Sequence, residues 1–366
     1  MAGNANLGAA KAAKNDEFYT QWNDIENEMR AYLEYNPDVF RGKTILLPCD
    51  DPDWSNFTKY FTERFEQLGL KKLISTSYAA DGGNGKVFVI EGENGPQREY
   101  LAGDGDFRSD EVIALRDEVD MVITNPPFSL FREFMAWLVE GGVEFSVIGS
   151  MNAITYKEIF PLIKENEMWL GASRMGAKYF ALPSNAPVKA NQHEENGVRF
   201  QKFGNIAWFT NIEHGRRHEP LALMPMDDNL LYGSKRVRET AYARYENYDA
   251  IEVPETKGIP SDYEGAMGVP ISFLDKYNPD QFEILGASLF DATPVKDVAK
   301  PGDLFQQGGL AFYIREGEST LRRLYFRLIV RHRNPEREES QSLSRTRSGQ
   351  SSLRCKRGLS HVEVRG

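Results

Sequence analysis

The stretch from Val119 to Phe128, Val-Asp-Met-Val-Ile-Thr-Asn-Pro-Pro-Phe, constrains the fold more than any other part of the chain. Met121, Val122 and Ile123 form a short buried-strand run, which must stop before Pro126 and Pro127 because neither has an N–H to extend a ladder. Asn125 is thereby held at the carboxyl end of a strand. In an open parallel α/β sheet that edge is where ligands bind. The two prolines also stiffen the loop, so the Asn125 carboxamide and the Pro126 carbonyl point at one place with little left to order on binding. Phe128 follows with a flat apolar face.

Such a set suits a planar amino group. The exocyclic amine of adenine has two N–H donors and a lone pair delocalised into the ring, which makes it a poor nucleophile. Two fixed acceptors would bind both protons and leave the lone pair facing an electrophile, while an aromatic ring stacks on the base. The same residues also fit a plain turn between strand and helix, so the remainder of the chain has to decide.

At 366 residues the chain accommodates one large domain or two medium ones. An apolar fraction of 41% with 27% charged residues suits a soluble globular protein. No apolar run approaches the length of a membrane span, and Met1 to Asn15 lacks the apolar core of a secretory signal, so a cytoplasmic location is expected. Cys49 and Cys355 are too few for a disulfide framework and stand apart from any Cys/His cluster, so no metal is expected. A net charge of −10 argues against a protein that coats nucleic acid, yet allows a site-specific enzyme with a local basic cleft. Basic residues crowd the end of the chain, from Arg322 to Arg357. The Ser/Arg/Gln composition after Pro335 cannot bury a core, which predicts a disordered basic tail over 335–366.

Along the chain, Asp16-Glu17-Phe18-Tyr19-Thr20-Gln21 precedes a helix predicted over Trp22 to Tyr35, with Asn23 or Asp24 as its cap. That lead-in reads either as packing aromatics or as a loop over a nucleoside, with Phe18 or Tyr19 stacking and Thr20 hydrogen-bonding. Lys43 to Leu47 is a strand ending in Cys49-Asp50-Asp51-Pro52, and a helix follows from Ser55 or Asn56 to Leu68. Strand, acidic turn and helix form the first unit of a doubly wound sheet, whose turn is a cofactor position, although this turn has no glycine. A second strand is predicted over Lys71 to Tyr78, then a strand pair, Val87 to Glu91 and Arg98 to Leu101. In the turn Gly103 to Arg108, Asp106 could accept from an adenine amine and Phe107 could stack on its ring. Helices are expected at Ser109 to Arg116, Leu130 to Glu140 and Tyr156 to Asn166, and strands at Phe145 to Ser150 and Met168 to Gly171. This alternation argues for a parallel sheet. After Gly171 the pattern fades, with a strand at Ala207 to Asn211. His214 and His218 bracket a loop read as exposed and basic, in which Arg216 and Arg217 could meet DNA phosphates. Later strands are expected near Gln281 and over Leu324 to Val330.

Taken together, these blocks resemble the EcoRI-type adenine-specific DNA methyltransferases. The residues that carry the resemblance are Asp16 to Gln21, Cys49-Asp50-Asp51-Pro52 with Ser55-Asn56-Phe57, Leu68 to Ile74, Gly103 to Ser109 and Thr124 to Phe131. Ile154 to Glu158, Trp169-Leu170-Gly171, Asn247 to Ile251 and Met267 to Ile271 continue it, so that it covers roughly residues 15 to 286. The Asn-Pro-Pro-aromatic block by itself is shared with RNA and glutamine methyltransferases.

The resemblance implies a class I S-adenosylmethionine-dependent methyltransferase fold, Rossmann-like and α/β, with a C-terminal target-recognition region. It places catalysis on Asn125, Pro126, Pro127 and Phe128, and cofactor binding on Phe18, Tyr19, Thr20, Cys49, Asp50, Asp51, Asp106 and Phe107. The expected division is a core at 1–171, a target-recognition region at 172–257 and a C-terminal part at 258–334. The implied substrate is adenine N6 in double-stranded DNA, handled by a monomer, in a restriction-modification setting with a companion endonuclease that is not bound. The rival readings are an RNA or protein-glutamine methyltransferase, or a catalytically silent DNA-binding protein.

Overall fold

The computed structural model describes residues 20–92, 94–173, 176–182, 188 and 192–336. Phe18, Tyr19 and all of the basic tail beyond Glu336 lie outside the described residues. The chain divides into two units: one runs to Glu219 and takes in Leu274–Pro279, the other comprises Pro220–Phe273 and the chain from Asp280 onward.

In the first unit, helix α1 (Trp22–Tyr35) is followed by β1 (Thr44–Leu47), α2 (Asn56–Glu63), α3 (Phe65–Leu68) and β2 (Lys72–Thr76). Then come β3 (Lys86–Glu91), β4 (Asn94–Tyr100), α4 (Asp110–Asp117), β5 (Met121–Thr124), α5 (Phe131–Gly141) and β6 (Glu144–Ser150). Helix α6 (Phe160–Lys164), β7 (Trp169–Leu170), β8 (Gly176–Ala181), β9 (Gln192–Glu195) and the thirteen-residue β10 (Val198–Thr210) complete it. One mixed sheet runs β4-β3-β2-β1-β5-β6-β10-β7, with β8 and β9 both paired to β10. Its centre is parallel: β1 pairs in parallel with β2 and β5, and β5 with β6. The flanks are antiparallel.

The chain leaves β1 for β2 on one side and returns to β5 on the other. The carboxyl end of β1 is therefore a topological switch point, where neighbouring crossovers diverge and leave a crevice. The four residues of β5 are all buried, and so is every residue of β1, as the apolar runs require. Ile45, Leu47, Met121 and Ile123 meet Ile25, Met29, Phe57 and Phe61 in the core, each contributing about 1.5–3 kcal/mol by burial.

Several expectations need correction. Helix α1 begins after Gln21 with no side-chain cap, because Asp24 turns instead to the buried Lys178, 2.8 Å away. The helix expected to run to Leu68 breaks at Arg64, whose guanidinium lies over the Trp22 and Tyr60 rings. The helix expected from Tyr156 starts at Phe160, with Pro161 at its first turn, where a missing N–H costs nothing. The strand at 169–170 extends no parallel sheet: it pairs antiparallel with β10, at Phe209 and Thr210. The loop at His214 to His218 is not an open basic surface. His214 and Arg217 are buried, and the Arg217 guanidinium lies 3.6 Å from the Trp169 ring centroid while bonding Glu213 and Asn166. Arg216 is paired with Asp275 at 2.6 Å. His214, Arg216 and Arg217 line a cavity with Leu274 and Tyr277, and their contacts serve the fold.

The second unit holds α7 (Met226–Tyr232), α8 (Lys235–Thr240), β11 (Ile251–Glu252), β12 (Met267–Pro270), β13 (Phe282–Ala287) and α9 (Ser288–Asp291). Strands β14 (Leu304–Phe305), β15 (Tyr313–Glu316), β16 (Thr320–Arg323) and β17 (Arg327–His332) follow. They form two sheets, β11-β12-β17-β13 and β14-β16-β15. Tyr245 stacks on Phe312 at 4.4 Å between centroids, and its hydroxyl donates to Glu252, which also receives Arg327. The compact units thus divide at Glu219, with a return at 274–279.

Candidate functional site

Asn125 follows β5 directly and is half-buried, as are Pro127 and Phe128, while Pro126 is buried. Phe128 opens a single 3-10 turn to Leu130, whose N–H donates to the Pro127 carbonyl at 3.0 Å. Its ring stands nearly perpendicular to Phe203, at 5.8 Å, and to Phe180, at 6.3 Å. Those two rings come from β10 and β8 and meet each other at 5.7 Å. Edge-to-face aromatic contacts of this kind fix ring orientation and contribute about 0.5–1.5 kcal/mol each.

The acidic turn lies at the neighbouring strand end. The Asp50 carboxylate accepts from the Ser55 hydroxyl through Oδ1 and from the Thr124 hydroxyl through Oδ2, both at 2.6 Å. Burial pushes the Asp50 carboxyl up to about 7, even though both hydroxyl bonds favour the charged form. Cys49 is half-buried, and burial together with the charge of Asp50 raises its thiol well above the ordinary range. It is a neutral thiol at physiological pH, not a thiolate nucleophile. Asp51 pairs with Lys86 at 3.0 Å, and Lys86 also meets Asp53 at 2.7 Å. Thr20 is buried; its carbonyl accepts from the Asn56 side chain at 2.8 Å, which brings the lead-in segment onto the start of α2. Among the described residues the Thr20 hydroxyl oxygen has no hydrogen-bond partner.

The turn at 103–107 is pressed against the end of β2. Gly105 has φ +81°, and a Cβ there would sit 2.2 Å from the Ser77 carbonyl oxygen, so only glycine fits. Burial pushes the Asp106 carboxyl up, but hydrogen bonds from the Arg108 guanidinium and backbone N–H outweigh it and hold the group below its usual range. Tyr78, two residues past β2, stands 43% exposed; partial burial, then the charges of Asp104 and Asp106, raise its phenol. The Phe107 ring is buried edge-on to Phe134 and Trp137 of α5, at 5.0 and 5.8 Å. Its contacts are with the core.

The structure therefore joins the Asp50 turn to the Asn125 strand, and Thr20 to the helix after that turn. Asp106 stands beside Tyr78, and the Phe107 ring turns inward. Sequence reasoning missed the Thr124 link and the Phe180–Phe203 support. Neither leaves a local pattern, since Thr124 lies 74 residues from Asp50 and the two phenylalanines fall in the irregular region after Gly171.

The family model described as adenine-specific methyltransferase EcoRI matches residues 6–333. The chain is 43% identical over 307 residues to the Type II methyltransferase M.EcoRI of Escherichia coli, covering 78% of this chain and 90% of that protein. It is 39% identical over 280 residues to the Type II methyltransferase M.MpnI of Mycoplasma pneumoniae, covering 75% and 83%. No solved structure matches. With the family model spanning both units, the chain belongs to the EcoRI family of adenine-specific methyltransferases.

Proposed function

We propose that this protein is a site-specific DNA methyltransferase of class I fold. It transfers a methyl group from S-adenosylmethionine to the exocyclic N6 amine of an adenine flipped out of double-stranded DNA. The observation that carries this reading is the position of Asn125: it sits at a strand end beside the switch point of the sheet, next to a buried proline and one residue from the tie to the acidic turn.

The residues at the turn suit that cofactor. The buried Thr20 hydroxyl oxygen, partnerless among the described residues, offers a hydrogen bond. Asp51 and Asp106 keep 25% and 24% of their side-chain surface exposed, as acceptors for hydroxyl and amine groups. Bound there, S-adenosylmethionine supplies an electrophilic sulfonium methyl. Asn125 and the Pro126 carbonyl accept the two amine hydrogens and localise the lone pair, while Phe128 stacks on the purine. Flipping the base costs roughly a few kcal/mol, which these contacts offset. The displacement is in line, so proximity and alignment supply most of the rate. Cys49 and Asp50 form the floor of the turn rather than contacts to the reacting atoms. Target reading falls within 172–257, and the cell context is restriction-modification, with a companion nuclease acting on the same site.

Incubation with labelled cofactor and, separately, duplex DNA, RNA or protein tests this. Label should enter duplex DNA as N6-methyladenine. Label in RNA or protein with none in DNA would contradict it, and calorimetry without cofactor binding would favour a silent DNA-binding protein.

A further inference from the structure

We propose that Thr124 is a positioning residue for methyl transfer, acting through Asp50 to fix the Asn125 loop against the cofactor turn. This rests on the role of Asn125 given above.

The backbone ladder between β1 and β5 pairs Ile45 with Met121 and Leu46 with Val122, and goes no further. Thr124, the last residue of β5, and Asp50, in the turn three residues past β1, lie beyond its end. There β5 is joined to the turn after β1 by the Thr124 hydroxyl donating to Asp50 Oδ2 at 2.6 Å. Asp50 is itself anchored from the opposite side. Its N–H donates to the Thr76 carbonyl at 3.0 Å, and its carbonyl accepts from the Ser75 hydroxyl at 2.6 Å. Ser75 Oγ in turn shares a 2.7 Å hydrogen bond with Thr58 of α2.

The second carboxylate oxygen receives Ser55, whose Oγ caps α2 by accepting from the Phe57 N–H at 3.0 Å. A continuous path thus runs from the first turn of α2 through Ser55 and Asp50 to the residue before Asn125. All three side chains are buried, at 3%, 5% and 0% exposure, so water does not compete for these bonds. From the other side, Thr124 is held in register with Val147 of β6. A strand buried on both faces has no packing need for a hydroxyl, and Thr124 is the one polar residue in the run Met-Val-Ile-Thr. Valine would keep its shape. What the hydroxyl adds is a fixed distance between the two loops that must present donor and acceptor atoms to each other, and a misplacement of about 1 Å can cost on the order of 10²-fold in rate.

The test compares Thr124→Val, Thr124→Ser and Ser55→Ala in full-length protein, with steady-state kinetics on duplex DNA and cofactor affinity measured by calorimetry. Thr124→Val should lower kcat by about 10- to 100-fold with cofactor affinity within about threefold, and Thr124→Ser should recover most of the loss. Ser55→Ala cuts the other arm: it should lower kcat by itself, and the double variant should fall no further than Thr124→Val. Unchanged kcat in Thr124→Val, weaker cofactor binding at unchanged kcat, no recovery by serine, or losses that multiply would each overturn the assignment. Should Thr124→Val fail to fold, the kcat of Ser55→Ala decides. A wild-type protein that methylates no DNA would instead remove the reading of Asn125, so the two failures are distinguishable.

Discussion

Asp50 is a carboxyl group that the fold pushes up to about 7 by burial, from an ordinary value near 3.8. A group whose folded pKa is raised holds its proton more tightly in the folded state, so its contribution to stability falls as pH rises from about 4 to about 7 and is level above that. Asparagine mimics the protonated form: its amide can donate to Thr124 while its oxygen still accepts from Ser55. Asp50→Asn should therefore gain on the wild type across that window, by at most roughly 4 kcal/mol, in urea unfolding measured at several pH values. A stability difference that stays flat between pH 4 and 7 would show that Asp50 is ionised throughout. At this scale the sequence spoke unevenly. Asn125 was legible because Pro126 and Pro127 end a strand wherever they occur, and the acid at position 50 because it closes an apolar run. The partner of that acid was not, since a hydrogen bond across 74 residues has no local signature. Phe107 marks the same limit: an aromatic beside an acidic turn gives no local sign of the rings it meets, here Phe134 and Trp137.

Among the elements, helices α1 and α5 and the hairpin β3–β4 follow from apolar spacing and turn residues, which are local. The direction of β7 does not. Its two residues are apolar enough for any strand, and only the long β10, returning between β6 and β7, makes the pairing antiparallel. The block Trp169-Leu170-Gly171 gains a physical meaning from that return. Glu28, wholly buried on α1, accepts from Tyr32 at 2.7 Å and from the N–H groups of Ala172 and Ser173 at 2.8 and 2.7 Å. It thus satisfies the backbone just past β7. A Cβ at Gly171 would lie 2.1 Å from Glu28 Oε1 and 2.6 Å from the Trp208 Cβ. Gly171→Ala should accordingly cost about 1–3 kcal/mol, read as a lower urea midpoint. An unchanged midpoint would mean that this packing yields more easily than the contacts indicate.

For the whole molecule, the boundary between units was the least legible feature, because it follows long-range contacts rather than composition. Residues 274–279 belong with the first unit: Asp275 pairs with Arg216, and the Asn278 side chain donates to the Glu219 carbonyl at 3.3 Å. In the second unit, Asn247 gives the block from Asn247 to Ile251 a structural role. Its buried amide donates to the carbonyls of Thr293 and Ala311 and accepts from the Tyr313 N–H, so it ties three segments together. That block holds the second unit together, whereas the block at Thr124 to Phe128 is the one proposed to be chemical. The most direct measurement is methyl transfer to duplex DNA by Asn125→Ala, with S-adenosylmethionine affinity determined on the same preparation. Turnover should fall by about 10²-fold or more, with cofactor affinity within about threefold of the wild type. Near-normal turnover by Asn125→Ala would contradict the role proposed for Asn125.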